Sequence, residues 1–367
     1  MLLRRRPTRI GPWVLVTDDV SGQNRSAVAA VRALAAGGFR PAVTTCGARS
    51  VAAASRYCLR RVELPRAGSP SYPEALRREV EQGDYLCALL ASDAALIALD
   101  APGAPLLNKA VLADRTAATE LSAVPGQVFA SLGKLREAGS AAVGTGSRPS
   151  VVKSLLKTGP GVLQARLLSS VDELSGLDDT TGPIIVQPFV DGEFRAVSGV
   201  LWDDKLLAIS HQRYHRTWPR RTGVGCLAST VEPDYGLEEA VISLLRGHCG
   251  VFQVQLVGSY VLDVNPRVFG SMPLPVAAGV NLPAVAANAA RGRIGPLVRA
   301  RTGVRYRWLE GDLRNLTQGV REHEVGFVEA VSQLRPRRGT AHSIESLRDP
   351  GPGLTRIATV AGEVLGR

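Results

Sequence analysis

The stretch VFQVQLVGSYVLDVNPR (residues 251–267) predicts two antiparallel strands joined by a tight turn. Successive side chains on a strand point to opposite faces, so Asp263 and Asn265 share one face. Gln255 lies on the partner strand, near enough across the turn to join them. The pattern therefore places one carboxylate and two amide groups together on a single hairpin.

This group of oxygen atoms suits Mg²⁺, a hard cation that takes few protein ligands and keeps phosphate oxygens and water. Arg267 follows two residues after Asn265 on the same face, where its guanidinium can bind a phosphate or acyl phosphate through two hydrogen bonds. Taken alone, the stretch is explained equally well as the ordinary polar face of a hairpin.

Composition indicates a folded protein of two or three domains. The chain has 367 residues, of which 45% are apolar and 21% are charged. No apolar run approaches the roughly 18 residues that span a bilayer, so no membrane partner is predicted and a cytoplasmic location is expected. The five cysteines include no C-x-x-C pair, which argues against a zinc site or a disulfide framework.

The basic residues are more informative by type than by number. A net charge of +11 would suit a nucleic-acid partner, but no aromatic residues alternate with the basic clusters, so the pattern disfavours one. Lysine is a compact charge that fits beside a phosphate, and only five of the 44 basic residues are lysines. Each lysine is therefore a candidate for a specific role. They are Lys109, Lys134, Lys153, Lys157 and Lys205.

Residues 1–105 alternate strands and helices at the spacing of a parallel α/β unit. The turn after the first strand lacks the G-x-G-x-x-G fingerprint, so no dinucleotide site is predicted there. The predicted elements are strands at 13–17, 41–46 and 85–91 and helices at 27–38 and 72–82.

The rest of the chain predicts an α+β region with antiparallel pairs. A mostly helical segment at 106–125 and a loop at 139–150 precede the strands, and residues 163–168 suit a strand or a helix. The clearest elements are strands at 150–156 and 184–190, a hairpin at 194–210 and a helix at 238–250.

The hairpin motif resembles the ATP-grasp superfamily, whose signature pairs an acidic or glutamine residue on one strand with E-x-N-P-R on the next. Here these are Gln255 and Asp263-Val264-Asn265-Pro266-Arg267. Two positions depart from the commonest form, because Gln255 replaces a glutamate and Asp263 is one methylene shorter. The resemblance implies that Gln255, Asp263 and Asn265 bind Mg²⁺, with Mn²⁺ as a substitute, and that Arg267 stabilises an acyl phosphate.

Two further family motifs hold lysines. Lys109 stands in an Asn-Lys phrase where the N-terminal domain ends, and Lys153 follows Val151-Val152 on a predicted strand, with Ser154 where proline is usual. A glycine loop comes next. The resemblance implies that ATP phosphates are bound by Lys109, Lys153, Lys157, Gly159 and Gly161, with Lys153 also catalytic.

The stretch VQPFVDGE (residues 186–193) resembles the family's adenine hinge. It implies that Gln187, Phe189 and Val190 hold the adenine, while Glu193 faces the ribose or stabilises the hinge. Residues 211–230 resemble the segment beside the acceptor site, which makes Arg213, Arg216 and Arg221 candidates to bind a substrate carboxylate. A solvated arginine is the competing interpretation for each.

The resemblance implies a Rossmann-like pre-ATP-grasp domain followed by a two-subdomain ATP-grasp fold. The expected boundaries are 1–105 for the first domain, 106–190 for the lid and central subdomain, 191–300 for the C-terminal subdomain and 301–367 for an extension. The implied activity is an ADP-forming ligase that activates a small carboxylic acid for attack by an amine, in a chain that could form a homodimer. A nucleotide-binding or regulatory protein with weakened turnover is the alternative from another class, motivated by Gln255 and Asp263. Among enzymes the alternative is a kinase-like protein or a synthetase subunit, and a basic nucleic-acid-binding protein is the least favoured function.

Overall fold

The computed structural model describes residues 11–20, 23–47, 49–143, 149–157, 161–180 and 182–365. Three sheets carry the architecture, one of them parallel and the other two largely antiparallel. This mixed α/β and α+β organisation confirms the fold class expected from the sequence. Among the described residues no helix is both long and apolar enough to cross a membrane.

The N-terminal sheet has four parallel strands in the order β3-β2-β1-β4, as in one part of a doubly wound sheet. The parallel unit and the helix at 72–82 are confirmed. The sequence missed β3, because its residues RRVE are mostly exposed and carry no apolar pattern. The elements are β1 (Trp13–Val16), α1 (Arg25–Ala36), β2 (Arg40–Thr45), β3 (Arg60–Glu63), α2 (Tyr72–Gln82), β4 (Tyr85–Leu89) and α3 (Asp93–Ala98).

A second, antiparallel sheet of four strands has the order β6-β9-β7-β8. It contains the predicted strands at 150–156 and 184–190. In the segment 163–168, for which a strand or a helix was expected, the last three residues form a strand. Its elements are β6 (Gln127–Phe129), α5 (Leu132–Ala138), β7 (Ser150–Ser154), β8 (Arg166–Leu168) and β9 (Ile184–Pro188), with 3₁₀ turns at Gly139–Ala141 and Val171–Gly176.

The prediction of a mostly helical segment at 106–125 is wrong in its second half. A 3₁₀ turn (Ala104–Leu107) leads into α4 (Lys109–Thr116), and β5 (Ser122–Ala123) is already a strand. Thr119 explains the stop, because its hydroxyl donates to the carbonyl of Thr116 at 2.9 Å and accepts from the N–H of Leu121 at 3.0 Å. Such local side-chain bonds compete with the helix.

The central sheet has nine strands. Eight follow the order β17-β16-β12-β11-β10-β13-β14-β5, and β15 pairs with β11. The predicted hairpin at 194–210 is confirmed, with Asp203 and Asp204 both at positive φ in its turn. The strands are β10 (Phe194–Trp202), β11 (Lys205–Trp218), β12 (Val224–Thr230), β13 (Gly250–Val257), β14 (Tyr260–Asn265), β15 (Val298–Arg299), β16 (Arg305–Arg307) and β17 (Thr340–His342).

The remaining helices are α6 (Tyr235–Leu244), α7 (Pro273–Ala277), α8 (Leu282–Ala290), α9 (Leu309–Arg321), α10 (Phe327–Gln333) and α11 (Gly351–Leu365). The central sheet takes strands from three of the four predicted segments, since β5 comes from 106–190 and both β16 and β17 come from 301–367. The four domain ranges stay predictions.

One hydrophobic core joins the N-terminal and central sheets. It contains Val14 and Val28 from the first sheet and its helix, Val251 from β13, and Phe269, which is 2% exposed. Burying a side chain of this size stabilises the fold by about 1.5–3 kcal/mol. Because Phe269 lies two residues after Arg267, its packing fixes the end of the hairpin motif against the N-terminal sheet.

Candidate active site

The predicted hairpin forms with the expected register. Strands β13 and β14 are antiparallel and turn at Gly258-Ser259, and Gln255 pairs directly with Asp263. Asn265 pairs with Gln253, two residues further along the strands. The side chains of Gln255, Asp263 and Asn265 line one large cavity, which Gln253 does not reach. The three proposed metal ligands are therefore brought together, as the alternation of strand side chains requires.

Two of the five lysines bind the carboxylate at the centre of the motif. Lys109, at the start of α4, forms an ion pair with one oxygen of Asp263. Lys157 Nζ lies 2.5 Å from the other oxygen, and donates to the Val264 carbonyl at 2.9 Å and to Asn265 Oδ1 at 3.3 Å. Burial by itself would raise the pKa of Asp263, but the two ammonium groups outweigh it and hold that pKa far below its usual range.

Lys153 lies beside this pair, and no carboxylate of the described chain is paired with it. It is on β7 and lines the same cavity, and no ion pair or hydrogen bond to its amine is found among the described residues. Burial, with Lys109 nearby, lowers the pKa of Lys153 to about 7. Near neutral pH this amine is therefore only partly protonated, and an anion entering the cavity would favour its charged form.

Arg267 is held by an acid that the sequence did not single out. Its Nε lies 2.5 Å from Asp93 Oδ1, its Nη1 donates to the Val268 carbonyl at 3.0 Å, and its Nη2 lies 3.3 Å from Asn265 Oδ1. Asp93 is the first residue of α3 and lies four residues after Leu89, the last residue of β4. The signal that could have found it is its position at the carboxyl end of a parallel strand, where α/β sheets collect functional groups.

We call this group the hairpin wall: Lys109, Lys153, Lys157, Asp263, Asn265 and Arg267. The glycine loop cannot be placed in full, since Gly159 lies outside the described residues. Gly161 is described and has a φ of +63°, a conformation that favours glycine. Val162 and Leu163, directly after it, line the cavity.

The predicted hinge lines the cavity at its other end. Gln187 is buried and its side-chain amide donates to the Val124 carbonyl at 2.7 Å. The Phe189 N–H donates to the Pro149 carbonyl at 2.9 Å, so that donor is already used. Val190 lines the cavity beside them. Glu193 lies 3.0 Å from Arg213, so in this structure its carboxylate pairs with an arginine.

The three predicted substrate arginines form what we call the arginine wall, on β11 and in the β11–β12 turn: Arg213, Arg216 and Arg221. Their environments differ. The Arg213 side chain is 51% exposed and pairs with Glu193. Arg216 binds both oxygens of the fully buried Asp312, at 2.6 and 3.0 Å, and also contacts Gln333. Arg221 is 57% exposed and 3.8 Å from Glu324.

Both walls enclose a cavity of about 1130 Å³. Nine basic side chains and four acidic ones line it, so the cavity is suited to a polyanion. No group of three or more His, Cys, Asp or Glu side chains that could hold a metal ion occurs in the part of the chain that the structure describes. One carboxylate with two amide oxygens still fits Mg²⁺, which needs only one or two protein carboxylates when phosphates and water complete its shell.

Comparisons with known proteins show the fold alone. No family model matches the sequence, and no curated protein matches it. An L-amino acid ligase from Bacillus licheniformis is similar in structure, with 15% identity and a TM-score of 0.56 over 79% of this chain and 78% of that one. The N5-carboxyaminoimidazole synthetase from Staphylococcus aureus, in complex with ADP, gives 12% identity and a TM-score of 0.59 over 81% and 82%.

A phosphoribosylglycinamide synthetase from Anaerococcus prevotii is also similar, with 14% identity and a TM-score of 0.51 over 77% of this chain and 76% of that one. These matches show that the chain has the ATP-grasp fold expected from its motifs.

Proposed function

We propose that the protein is an ADP-forming ligase that activates a small carboxylic acid with ATP and Mg²⁺ and joins it to an amine. One observation carries the proposal. Asp263, Asn265 and Arg267 at the end of β14 lie together with Lys109, Lys153 and Lys157 on one wall of a strongly basic cavity. The similar structures are named as ligases or synthetases, and one is described as a complex with ADP, which supports the same reading.

In this proposal ATP lies along the large cavity. The hinge strand, with Gln187, Phe189 and Val190, contacts the adenine, and Glu193 lies toward the ribose. The three lysines and the backbone around Gly159 and Gly161 bind the phosphates. Compact ammonium groups and backbone N–H groups are well suited to this task, because they approach phosphate oxygens closely.

Arg267 lies at the end of the cavity where phosphoryl transfer would take place. A carboxylate oxygen of the substrate attacks the γ-phosphorus, and the bond between that phosphorus and ADP breaks. The amine nitrogen then attacks the acyl carbon, loses a proton and displaces inorganic phosphate. Arg267 stabilises the charge that develops on the phosphoryl group, a task for which a fixed guanidinium is effective. In the arginine wall Arg216 is occupied by Asp312, which leaves the half-exposed Arg213 and Arg221 to contact other parts of the ligands.

The metal would be held by Asp263 and Asn265, with Gln255 beside them. When bound, it would neutralise charge on the β- and γ-phosphates. Before nucleotide binds, Lys109 and Lys157 pair with the Asp263 carboxylate and keep it ionised. For that carboxylate to bind the metal, the two lysines must leave it and bind phosphate oxygens instead.

One observation favours a second function, that of a nucleotide-binding regulatory protein with weakened turnover. Gln255 contributes no charge, so Asp263 is the one carboxylate in the group formed by the hairpin, and both of its oxygens already contact lysines. Such a site could bind nucleotide and still position the phosphates poorly for transfer.

Both proposed functions require ATP binding, which is therefore measured first. We expect Mg-ATP to raise the melting temperature of the wild-type protein, and we expect this shift to shrink in Lys153→Gln. Lys205→Gln is the matched control, because Lys205 is exposed at the first residue of β11. An absent shift in the wild type would contradict both proposed functions.

Turnover separates the ligase from the regulatory protein. Hydroxylamine is a small nucleophile that attacks acyl phosphates and gives hydroxamates, so it reports acid activation without knowledge of the amine. We expect ADP and hydroxamate to form together with at least one acid from a panel of small carboxylic acids. Nucleotide binding without ADP release for any acid would favour the regulatory alternative.

A further inference from the structure

A second, smaller cavity lies behind the hairpin wall, and we call it the inner pocket. Its volume is about 250 Å³, below the roughly 300–1,000 Å³ of pockets for drug-sized ligands. Gln255, Asn265 and Arg267 line both this pocket and the large cavity. The far side is formed by Asn24 and Arg25 at the start of α1. A ligand there would be small and would lie next to the reacting end of the ATP site.

Neutral polar groups line the back of the inner pocket. Gln253 is 2% exposed, and its amide nitrogen donates to the Tyr214 hydroxyl and to the Ser271 hydroxyl, each at 3.0 Å. Its amide oxygen accepts from Gln255 and from Asn265, each at 3.4 Å. This network satisfies Gln253 completely and fixes the Gln255 and Asn265 side chains, so the back of the pocket is preorganised and uncharged.

The charged groups of the inner pocket are both cations. Of the described residues that line it, Arg25 and Arg267 carry charge, and none is acidic. Arg267 has Asp93 as its partner, outside this lining. Arg25 forms no ion pair within the described chain. Within the described chain, the pocket therefore offers one guanidinium with a carboxylate partner and one without.

Arg25 is held in place by neutral groups. Its guanidinium lies 3.6 Å from the centre of the Trp308 ring and donates to the Tyr306 hydroxyl at 3.3 Å. Gly270 permits this position, because a Cβ there would come within 3.1 Å of Arg25 Nη2. Arg25 also helps to lower the pKa of Glu310, but that carboxylate is already bound by Arg314 and Arg356 at 2.7 and 2.8 Å. Arg25 is thus oriented and partly buried, and no described residue places a counter-charge in contact with it.

The balance of charge selects the ligand. A free ammonium group in the inner pocket would face two guanidinium groups and no carboxylate, which is unfavourable away from bulk water. A second anionic group would instead supply the partner that Arg25 lacks, through charge-assisted hydrogen bonds.

We propose that the inner pocket binds the acid substrate, and that this acid is a small dicarboxylate without an ammonium group. One carboxylate faces Arg267 and the γ-phosphate, and the other binds Arg25. The proposal rests on the ligase function above and names its substrate class.

The test measures acid binding directly, by calorimetric titration of the wild-type protein saturated with Mg²⁺ and a non-hydrolysable ATP analogue. The probes are succinate, butyrate and 4-aminobutyrate, which share four carbons and differ in the group opposite the reacting carboxylate. We expect succinate to bind about 10- to 100-fold more tightly than the other two, the ratio expected of one charge-assisted interaction. In the hydroxylamine assay, succinate should also give the largest kcat/KM.

Variants then locate the effect. Arg25→Gln should reduce succinate affinity to the level of butyrate, and Arg25→Lys should keep part of the preference because the charge remains. Arg293→Gln is the matched control, since Arg293 is exposed in the segment after α8. Circular dichroism and melting curves show whether each variant is folded. Should Arg25→Gln fail to fold, the three-acid comparison on the wild type still decides.

The outcomes are distinct. Equal binding of succinate and butyrate, tighter binding of 4-aminobutyrate, or no binding of any acid would each overturn the dicarboxylate proposal, even if the ligase function stands. Turnover of an acid that carries a phosphate group, but not of succinate, would place a larger dianion in the pocket and would also overturn it. Failure of the ATP analogue to bind at all would instead contradict the proposed function.

Discussion

The hairpin wall and the arginine wall face the same cavity but are built differently. In the hairpin wall, charged side chains bind mainly one another, as Lys109 and Lys157 do through Asp263. In the arginine wall, each guanidinium pairs with a carboxylate that is not part of that wall, as Arg216 does with Asp312 on α9. The comparison indicates that basic residues lining one cavity can serve different purposes. The hairpin wall concentrates charge for a ligand, whereas part of the arginine wall attaches the C-terminal helices to the central sheet.

The largest effect should follow from removing the centre of the hairpin wall. Asp263→Ala leaves Lys109 and Lys157 without their shared carboxylate, in positions where their side chains are 7% and 16% exposed. We expect turnover to fall by about 10²–10³-fold, the range seen when one electrostatic contact to a transition state is lost. The free energy of unfolding should fall by about 3 kcal/mol, as for other broken buried ion pairs.

Asp114→Ala is the matched control for this change, because Asp114 is an exposed residue of α4, the helix that carries Lys109. It should leave ADP release and stability within error of the wild type. If Asp263→Ala kept full turnover, the hairpin wall would not be the catalytic centre.

The second prediction concerns the arginine wall and compares the loss of Arg216 with the loss of Arg213. Arg216→Ala should lower the free energy of unfolding by about 3 kcal/mol, because Asp312 is fully buried and would lose one of its two arginine partners. Arg213→Ala should cost less than about 1 kcal/mol, since that side chain is half exposed and exposed pairs contribute little. Chemical denaturation measures both. Equal losses would contradict the distinction drawn between the two arginines.

The sequence predicted the hairpin wall better than the arginine wall, for a physical reason. Asp263 and Asn265 are two residues apart on one strand, so the period of the strand alone places them together. The partner of Arg216 is Asp312, 96 residues away on α9, and nothing local in either segment indicates that contact. Asp93 was missed likewise, because its partner Arg267 is 174 residues away. Strand β3 lacked any apolar pattern to reveal it.

The third prediction concerns the link between the hairpin wall and the N-terminal sheet. Burial would raise the pKa of Asp93, but Arg267, with Lys157 nearby, lowers it below the ordinary value. A carboxylate with a lowered pKa stabilises the fold above about pH 4, and this contribution disappears as pH falls further and the group is protonated. Asp93→Asn should therefore cost about 2 kcal/mol at pH 7, and the difference from the wild type should shrink below pH 4.

Denaturation curves at pH 7, 5 and 3.5 measure this dependence. Asp84→Asn is the control, because Asp84 is exposed just before β4 and should show no such pH-dependent difference. A stability difference that stayed constant across this range would mean that Asp93 acts through shape rather than through its charge.

The smallest effect distinguishes the lysines within the hairpin wall. Lys109 and Lys157 already have Asp263, whereas burial and the neighbouring Lys109 lower the pKa of Lys153 to about 7. Bound phosphates favour the charged form and raise that pKa, so nucleotide binding should take up a proton above pH 7, and affinity should fall as pH rises. We expect a loss of several-fold between pH 7 and pH 8, with a linkage limit of about tenfold per pH unit. Calorimetry in two buffers of different ionisation enthalpy measures the proton uptake. Lys153→Gln should bind nucleotide more weakly at pH 7 and lose this pH dependence, whereas an unchanged dependence would assign the proton to another group in the wall.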